Sequence, residues 1–365
     1  MENLTFGFIG LGLIGGSMAK ALKHANPDCR IIAYDKDASA LALAKEEHIC
    51  DITCQTVDET FSDCDIFFLC TPVDFNTEYL SQINTVRKTG SLITDVGSVK
   101  KTIHDTVRKL HLEDCFIGGH PMAGSERSGY SSSSAGLLEN AYYILTPSTH
   151  ISKDQISLLS EIIQDAGAMP VIMSEDKHDR VTAAISHLPH MAAYALVNLI
   201  HDRDDTDHTM KMIAAGGFKD ITRIASSSPV MWQQICGENK EKLLSFMDDY
   251  IAELTTLRSS IEKENESALY NYFSDAKDYR DSFDDVISGP ISRSYRLTVS
   301  IPDETGIIAK LSGMFAKKGI NLKNMGIVHN REFEEGVLRI EFYDEYSLKQ
   351  AISVLEETEY TIYTK

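Results

Sequence analysis

The segment Gly10-Leu11-Gly12-Leu13-Ile14-Gly15 constrains this chain more than any other, because it follows the apolar run Thr5–Ile9 directly and leads into the helical pattern Ser17–Lys23. A strand, a glycine turn and a helix start in that order form a cradle for a pyrophosphate. Gly10 permits the tight turn, Gly12 lets phosphates approach the backbone, and Gly15 lets helix and strand pack closely. Leu13 and Ile14 enter the helix, whose N-terminus presents unpaired N–H groups. Arg30–Tyr34 reads as the second strand, and Asp35 stands 20 residues after Gly15, where a carboxylate takes the adenosine ribose hydroxyls. Its charge repels a ribose phosphate, which favours NAD over NADP, while Lys36 beside it works against a strict preference.

Short β-rich runs near 5–9, 31–35, 65–70, 91–95, 115–118, 142–146 and 169–173 alternate with helical patterns. That alternation predicts an α/β Rossmann-type domain over 1–174 with a largely parallel, doubly wound sheet. Beyond Glu175 the apolar residues recur at helical spacing through 178–201, 219–225, 230–236 and 239–283, which predicts an all-helical domain over 175–285. Its helices carry more apolar surface than one small bundle hides, so a homodimer interface is expected. Residues 286–294, with Ser288-Gly289-Pro290, lack periodicity and read as a linker. The last part, 295–365, has the order βαββαβ: strands over 295–300, 320–329, 336–342 and 360–363, helices over 307–318 and 347–356.

The chain has 35 Lys+Arg against 54 Asp+Glu, a net charge of −19. This argues against nucleic acid or an anionic membrane as partner, and any anionic ligand needs a local basic pocket. Met1–Thr5 lacks the basic start of a secretory signal, and no apolar run approaches the roughly 20 residues that span a bilayer. A cytoplasmic protein is expected. The seven cysteines form no CxxC pair and read as reduced, mostly buried thiols.

In open α/β sheets ligands gather beyond the carboxyl ends of the strands, so polar residues there carry most weight. Thr71-Pro72 is expected along the cofactor. Ser98 either caps a helix starting at Val99 or faces the cleft. His120 sits in the glycine-rich segment Gly118–Glu126, read as a loop; a neutral imidazole there can accept a hydroxyl proton as a hydride departs from the same carbon. Ser125 and Glu126 are close enough in the chain to line the same cavity, whereas Ser131–Ser134 reads as a mobile loop. Ser186-His187-Leu188-Pro189-His190 places two histidines on one helix face, with Pro189 kinking the helix between them. Without HExxH or a nearby cysteine, they suit a polar wall of the cleft better than a metal site. Arg223 has a planar fork that suits a carboxylate, or pairs with Asp220 on the surface.

Taken in order along residues 3–285, the segments Gly10–Gly15, Asp95–Lys100, His120–Gly129, Ser186–His190 and Phe218–Trp232 resemble the prephenate dehydrogenase family of tyrosine biosynthesis. The resemblance implies NAD-dependent oxidation of prephenate, a cyclohexadienol with two carboxylates, and loss of carbon dioxide to give 4-hydroxyphenylpyruvate, with no metal. It puts His120 on the substrate hydroxyl as proton acceptor, with Ser98 hydrogen-bonded at the same point. It puts Arg223 on a carboxylate, and His190, with His187 nearby, among the pocket's polar groups; Ser125 stands where some relatives have threonine. The final part, with Pro302-Asp303-Glu304-Thr305-Gly306 and Lys318-Gly319-Ile320-Asn321, resembles an ACT domain. This implies an amino-acid site at Asp303, Gly306 and Asn321, with tyrosine as the expected effector. A sister enzyme that takes arogenate shares these motifs. A non-catalytic amino-acid sensor would require loss of His120, Ser98 or the glycines, and all are present.

Overall fold

The computed structural model describes residues 4–72, 75–124, 127–284, 295–302, 304–328, 336–358 and 360–363, which fall into two compact units, Met1–Leu254 and Thr255–Lys365. The first unit opens with β1 (Thr5–Ile9), α1 (Leu13–Ala25), β2 (Arg30–Tyr34), α2 (Ala38–Glu46), β3 (Ile52–Cys54) and β4 (Ile66–Leu69). It continues through α3 (Asn76–Val86), β5 (Leu92–Asp95), α4 (Lys101–Lys109), β6 (Phe116–Pro121), β7 (Tyr142–Pro147), α5 (Lys153–Asp165) and β8 (Met169–Ile172). The strands form one sheet in the order β3-β2-β1-β4-β5-β6-β7-β8, parallel throughout except for the pair β6–β7. Strands such as Ile66-Phe67-Phe68-Leu69 are apolar at every position because helices cover both faces of the sheet. The strand order turns back at β1 and β4, and there the carboxyl ends open a crevice.

The three-residue edge strand β3 was not foreseen, being too short to show any alternation. His120 lies on β6 and not in a loop: β7 returns antiparallel beside it and extends the ladder to His120↔Ile144 and Pro121↔Tyr143. Ser131–Ser134 is packed structure, with Ser133 buried and the Ser134 N–H bonded to Ser17 Oγ at 3.0 Å. Gly16 makes this possible, since a Cβ there would sit 2.7 Å from Ser133 Oγ.

The first unit ends in helices: α6 (Glu175–Thr182), a π turn (Ala183–His187), α7 (Leu188–Arg203), α8 (Thr209–Ile213), α9 (Gly216–Thr222), α10 (Pro229–Glu238) and most of α11 (Lys240–Glu262). The irregularity near Pro189 is the π turn just before it, and α7 continues through the proline. Proline offers no N–H to the carbonyl four residues back and its ring crowds that carbonyl, so the preceding turn widens. Contrary to the sequence expectation, Glu175–Arg203 is long and apolar enough by length and composition to cross a membrane. Its His178, Asp179, Thr182 and His187 are nevertheless buried and hydrogen-bonded inside the unit.

In the second unit the end of α11 and α12 (Glu266–Asp281) precede β9 (Tyr295–Ile301), α13 (Ile307–Lys317), β10 (Leu322–Val328), β11 (Gly336–Phe342), α14 (Glu345–Glu356) and β12 (Ile362–Tyr363). This is the expected βαββαβ order, closed as an antiparallel sheet β10-β11-β9-β12 over a core that includes Leu297, Leu311, Phe315, Phe342 and Leu355. The expected linker 286–294, the segment 330–335 between two expected strands, and Asp303 lie outside the described residues.

One buried ion pair holds the sheet's functional edge. Lys100 Nζ meets Asp95 Oδ2 and donates to the Gly119 carbonyl at 2.6 Å, while Asp95 accepts the N–H groups of Gly119 at 3.0 Å and Gly97 at 2.9 Å. Gly119 is clamped on both sides, immediately before His120. Lys100→Met would leave the Asp95 charge buried without its cation, at a cost of about 3–5 kcal/mol. Denaturant unfolding monitored by circular dichroism should show that loss, and an unchanged midpoint would mean that the pair contributes little.

Candidate active site

The glycine turn has the shape a dinucleotide needs. Gly10 has φ +101°, and a Cβ there would lie 2.8 Å from the Cys70 carbonyl oxygen. A Cβ at Gly15 would lie 2.3 Å from the Gly10 carbonyl oxygen, so α1 and the turn can approach only without side chains. At Gly12 a Cβ would meet nothing within 4 Å. That open space lies at the start of α1, which has no side-chain cap, so the N–H groups at Leu13, Ile14 and Gly15 suit an anion. Asp35 Oδ2 accepts the Leu11 N–H at 2.6 Å and Oδ1 accepts the Asp37 N–H at 2.7 Å; each oxygen keeps a second lone pair for ribose hydroxyls. Thr71 borders the turn, its methyl 3.2 Å from the Cβ position of Gly10, and Pro72 beside it is exposed. These residues fit the dinucleotide by space, donor set and charge.

Beyond the ends of β5 and β6 lies a cluster of polar groups. His120, partly accessible at the end of β6, bonds through Nδ1 to His178 Nε2 at 2.8 Å. His178, fully buried on α6, bonds through Nδ1 to Asp179 Oδ1 at 2.7 Å. The Asp179 carboxylate also accepts the backbone N–H of Lys100 at 2.8 Å and of Lys101 at 2.9 Å, and its own carbonyl takes Asn239 Nδ2 at 2.8 Å. Ser98 does not cap a helix: α4 starts at Lys101 without a local side-chain cap, and Asp179 supplies the acceptor from 79 residues away. Ser98 is half-buried beyond the end of β5, next to β6, and makes no hydrogen bond among the described residues.

Burial sets the charge state. It lowers the His120 pKa well below the ordinary histidine value, and the neighbouring His178, Lys100 and His187, each of which would disfavour a second positive charge, act in the same direction. Burial also lowers His178, against the hydrogen bond that His178 donates to Asp179, and pushes His187 down to about 4. Burial alone would raise the Asp179 carboxyl, but the bonds from His178, Lys100 and Lys101 together hold it below the usual carboxylate range. The result is a set of neutral imidazoles against one anchored carboxylate.

His187 and His190 do share a face, and both pack on Trp232, with ring centroids 5.9 and 4.0 Å away. His187 is buried beneath, with Nδ1 3.3 Å from Asn239 Nδ2. His190 Nδ1 donates to the Ser186 carbonyl at 2.9 Å, which leaves Nε2 as an acceptor. Its pKa is lowered by burial and by the nearby charge of Arg223, which is exposed just after α9. Ser125 and Glu126 lie outside the described residues. Sequence reasoning missed His178, Asp179, Asn239 and any role for Trp232. The run Glu175-Asp176-Lys177-His178-Asp179-Arg180 looks like a charged, solvated helix start, and the chain's lone tryptophan was the one available signal.

Comparisons with known proteins agree along most of the chain. Residues 18–172 match the family described as "Prephenate dehydrogenase, nucleotide-binding domain" and 174–275 that described as "Prephenate dehydrogenase, dimerization domain". A prephenate dehydrogenase of Bacillus subtilis is 38% identical over 95% of this chain and 94% of its own length. One from Lactococcus lactis is 33% identical over 97% and 98%. The crystal structure of prephenate dehydrogenase from Aquifex aeolicus, in complex with hydroxyphenyl propionate and NAD+, superposes with a TM-score of 0.72 at 33% identity, covering 78% of this chain and 98% of that one.

Histidines kept neutral by burial hold fewer protons in the folded chain than in the unfolded one between their folded pKa and about 6.5. Stability is therefore full above about 6.5 and falls as the pH drops through that window; for His187, folded pKa about 4, the loss is on the order of 3 kcal/mol. Thermal melts from pH 7 to 4 should show the decline. His187→Gln, which keeps an acceptor for Asn239, should flatten it, and an equally steep decline in that variant would place the proton uptake elsewhere.

Proposed function

The chain belongs to the prephenate dehydrogenase family of NAD-dependent oxidoreductases, and from that premise we propose which residues convert prephenate into 4-hydroxyphenylpyruvate, carbon dioxide and NADH. Bound NAD supplies the hydride acceptor. Gly10, Gly12, Leu13, Ile14 and Gly15 would hold its pyrophosphate, Asp35 its adenosine ribose, and Thr71 and Pro72 its flank. His120 takes the proton of the ring hydroxyl through Nε2, and Ser98 hydrogen-bonds the same oxygen. Arg223 binds a substrate carboxylate. His190 faces the ligand with His187 supporting it from below, and Ser125 and Glu126 complete the wall. Loss of hydride and carbon dioxide leaves an aromatic ring, so the site needs only to position the substrate, remove one proton and balance charge.

The observation that carries this reading is His120: an imidazole held neutral, accessible at the carboxyl end of the sheet, with one ring nitrogen engaged and Nε2 without a partner among the described residues. The hydroxyphenyl propionate in the Aquifex structure, a phenol with a carboxylate, supports the same kind of ligand here.

Residues 1–174 would then bind the cofactor, 175–285 the substrate and a second copy of the chain, and 286–294 link them to a regulatory ACT domain, 295–365. Exposed Leu199, Met212, Ile213 and Ile251 offer apolar surface for a homodimer, and the enzyme works in the cytoplasm on a small molecule. In the ACT reading Asp303, Gly306 and Asn321 receive tyrosine. Gly306 supports it: it precedes α13 with φ +88° and nothing within 4 Å of its Cβ position, and Asn321 is exposed just before β10. Tyrosine inhibits only by favouring a less active arrangement.

His120→Asn should lower kcat by about 10²–10⁴-fold while NAD affinity holds, whereas Arg223→Ala should mainly raise KM, since a carboxylate fork serves ground and transition state alike. NADH formation followed at 340 nm reads both, and full turnover by the asparagine variant would remove His120 from the chemistry. Deletion of 295–365 should leave a dehydrogenase that tyrosine no longer inhibits. Full inhibition of the truncated enzyme would place tyrosine in the substrate pocket instead.

A further inference from the structure

We propose that His178 and Asp179 are positioning residues that set the tautomer of His120 and hold the positive charge it acquires. This rests on the reading of His120 as proton acceptor. Two neutral imidazoles joined at 2.8 Å share one proton, and the bond itself does not say which ring donates. If His178 donated, His120 would carry its other proton on Nε2 and could accept nothing from a substrate.

Asp179 decides the matter. Both its oxygens are pinned by backbone N–H groups, Oδ1 by Lys100 and Oδ2 by Lys101, so the carboxylate cannot turn away, and an ionised carboxylate only accepts. His178 must therefore carry its proton on Nδ1, 2.7 Å from Oδ1. A neutral His178 then has a lone pair on Nε2, His120 donates to it from Nδ1, and His120 Nε2 is left bare toward the cleft. His178 has no exposed surface, so it cannot reach a substrate and acts only through His120. When Nε2 takes the hydroxyl proton, the new imidazolium donates more strongly to His178, whose other side rests on the Asp179 charge. The remaining charged and titratable neighbours are Lys100, already paired with Asp95, and His187.

The test uses the full-length enzyme. Nitrogen-15 imidazole spectra of the unsubstituted protein should show His120 with a pyrrole-type Nδ1 and a pyridine-type Nε2, and the reverse assignment overturns the proposal without any variant. Asp179→Asn removes the charge, so the acid limb of kcat should move to lower pH; His178→Phe removes the acceptor, so kcat should fall about 10²–10³-fold with a protonated Nε2 appearing in the spectrum. NAD affinity and the KM for prephenate should stay within about twofold, and His178→Gln, which restores an acceptor, should recover part of kcat. If both Asp179→Asn and His178→Phe keep the wild-type kcat and acid limb, even with a lower melting temperature, the pair is only structural. An active His120→Asn would instead sink the base assignment itself, while an inactive one beside unaltered relay variants sinks the relay alone.

Discussion

The Asp179 carboxylate holds together parts of the chain that are far apart in sequence. A helix start leaves N–H groups without partners, and α4 has no local side chain to satisfy them. Asp179 accepts two of them from α6, takes the His178 ring proton, and through its backbone carbonyl receives Asn239 from the start of α11. The Rossmann half and the helical half of the first unit are thereby joined by hydrogen bonds around one buried anion. Such an arrangement costs desolvation, which the three hydrogen bonds to the carboxylate offset.

The same anchoring explains how a chain with a net charge of −19 presents a site for an anionic substrate. Among the described residues, Asp95 and Asp179 near His120 are buried and committed, Asp95 to Lys100 and Asp179 to α4 and His178. The imidazoles around them are kept neutral by burial, and the guanidinium of Arg223 is exposed. Local field, not net charge, governs what such a pocket accepts.

Geometry at the cofactor end depends on close backbone contact. Gly10 and Gly15 let the turn, α1 and the end of β4 come within distances that a Cβ would forbid, and Asp35 ties the turn to the end of β2. The clamp of Lys100 and Asp95 on Gly119 fixes the next strand end but one. On the proposed reading, cofactor and proton acceptor both stand at strand ends of one sheet, so that a hydride can leave the ring carbon as the proton leaves the hydroxyl oxygen on it.

Local pattern determined much of this protein. The strand–glycine–helix order, the place of Asp35, the alternation of the sheet, the helical tract after Glu175 and the βαββαβ order all follow from periodicity and turn chemistry acting over a few residues, and His120 was legible because it falls beside a strand end. What only tertiary structure decided is which polar residues become buried partners. His178 and Asp179 sit in a stretch that reads as a solvated helix start, Ser131–Ser134 in one that reads as a free loop, and Ser98 beside a helix it does not cap. Each was settled by a contact across many residues, Asp179 to Lys100, Ser134 to Ser17, β7 beside His120. Hydrogen bonds of that kind depend on how elements cross, and no local periodicity records the crossing.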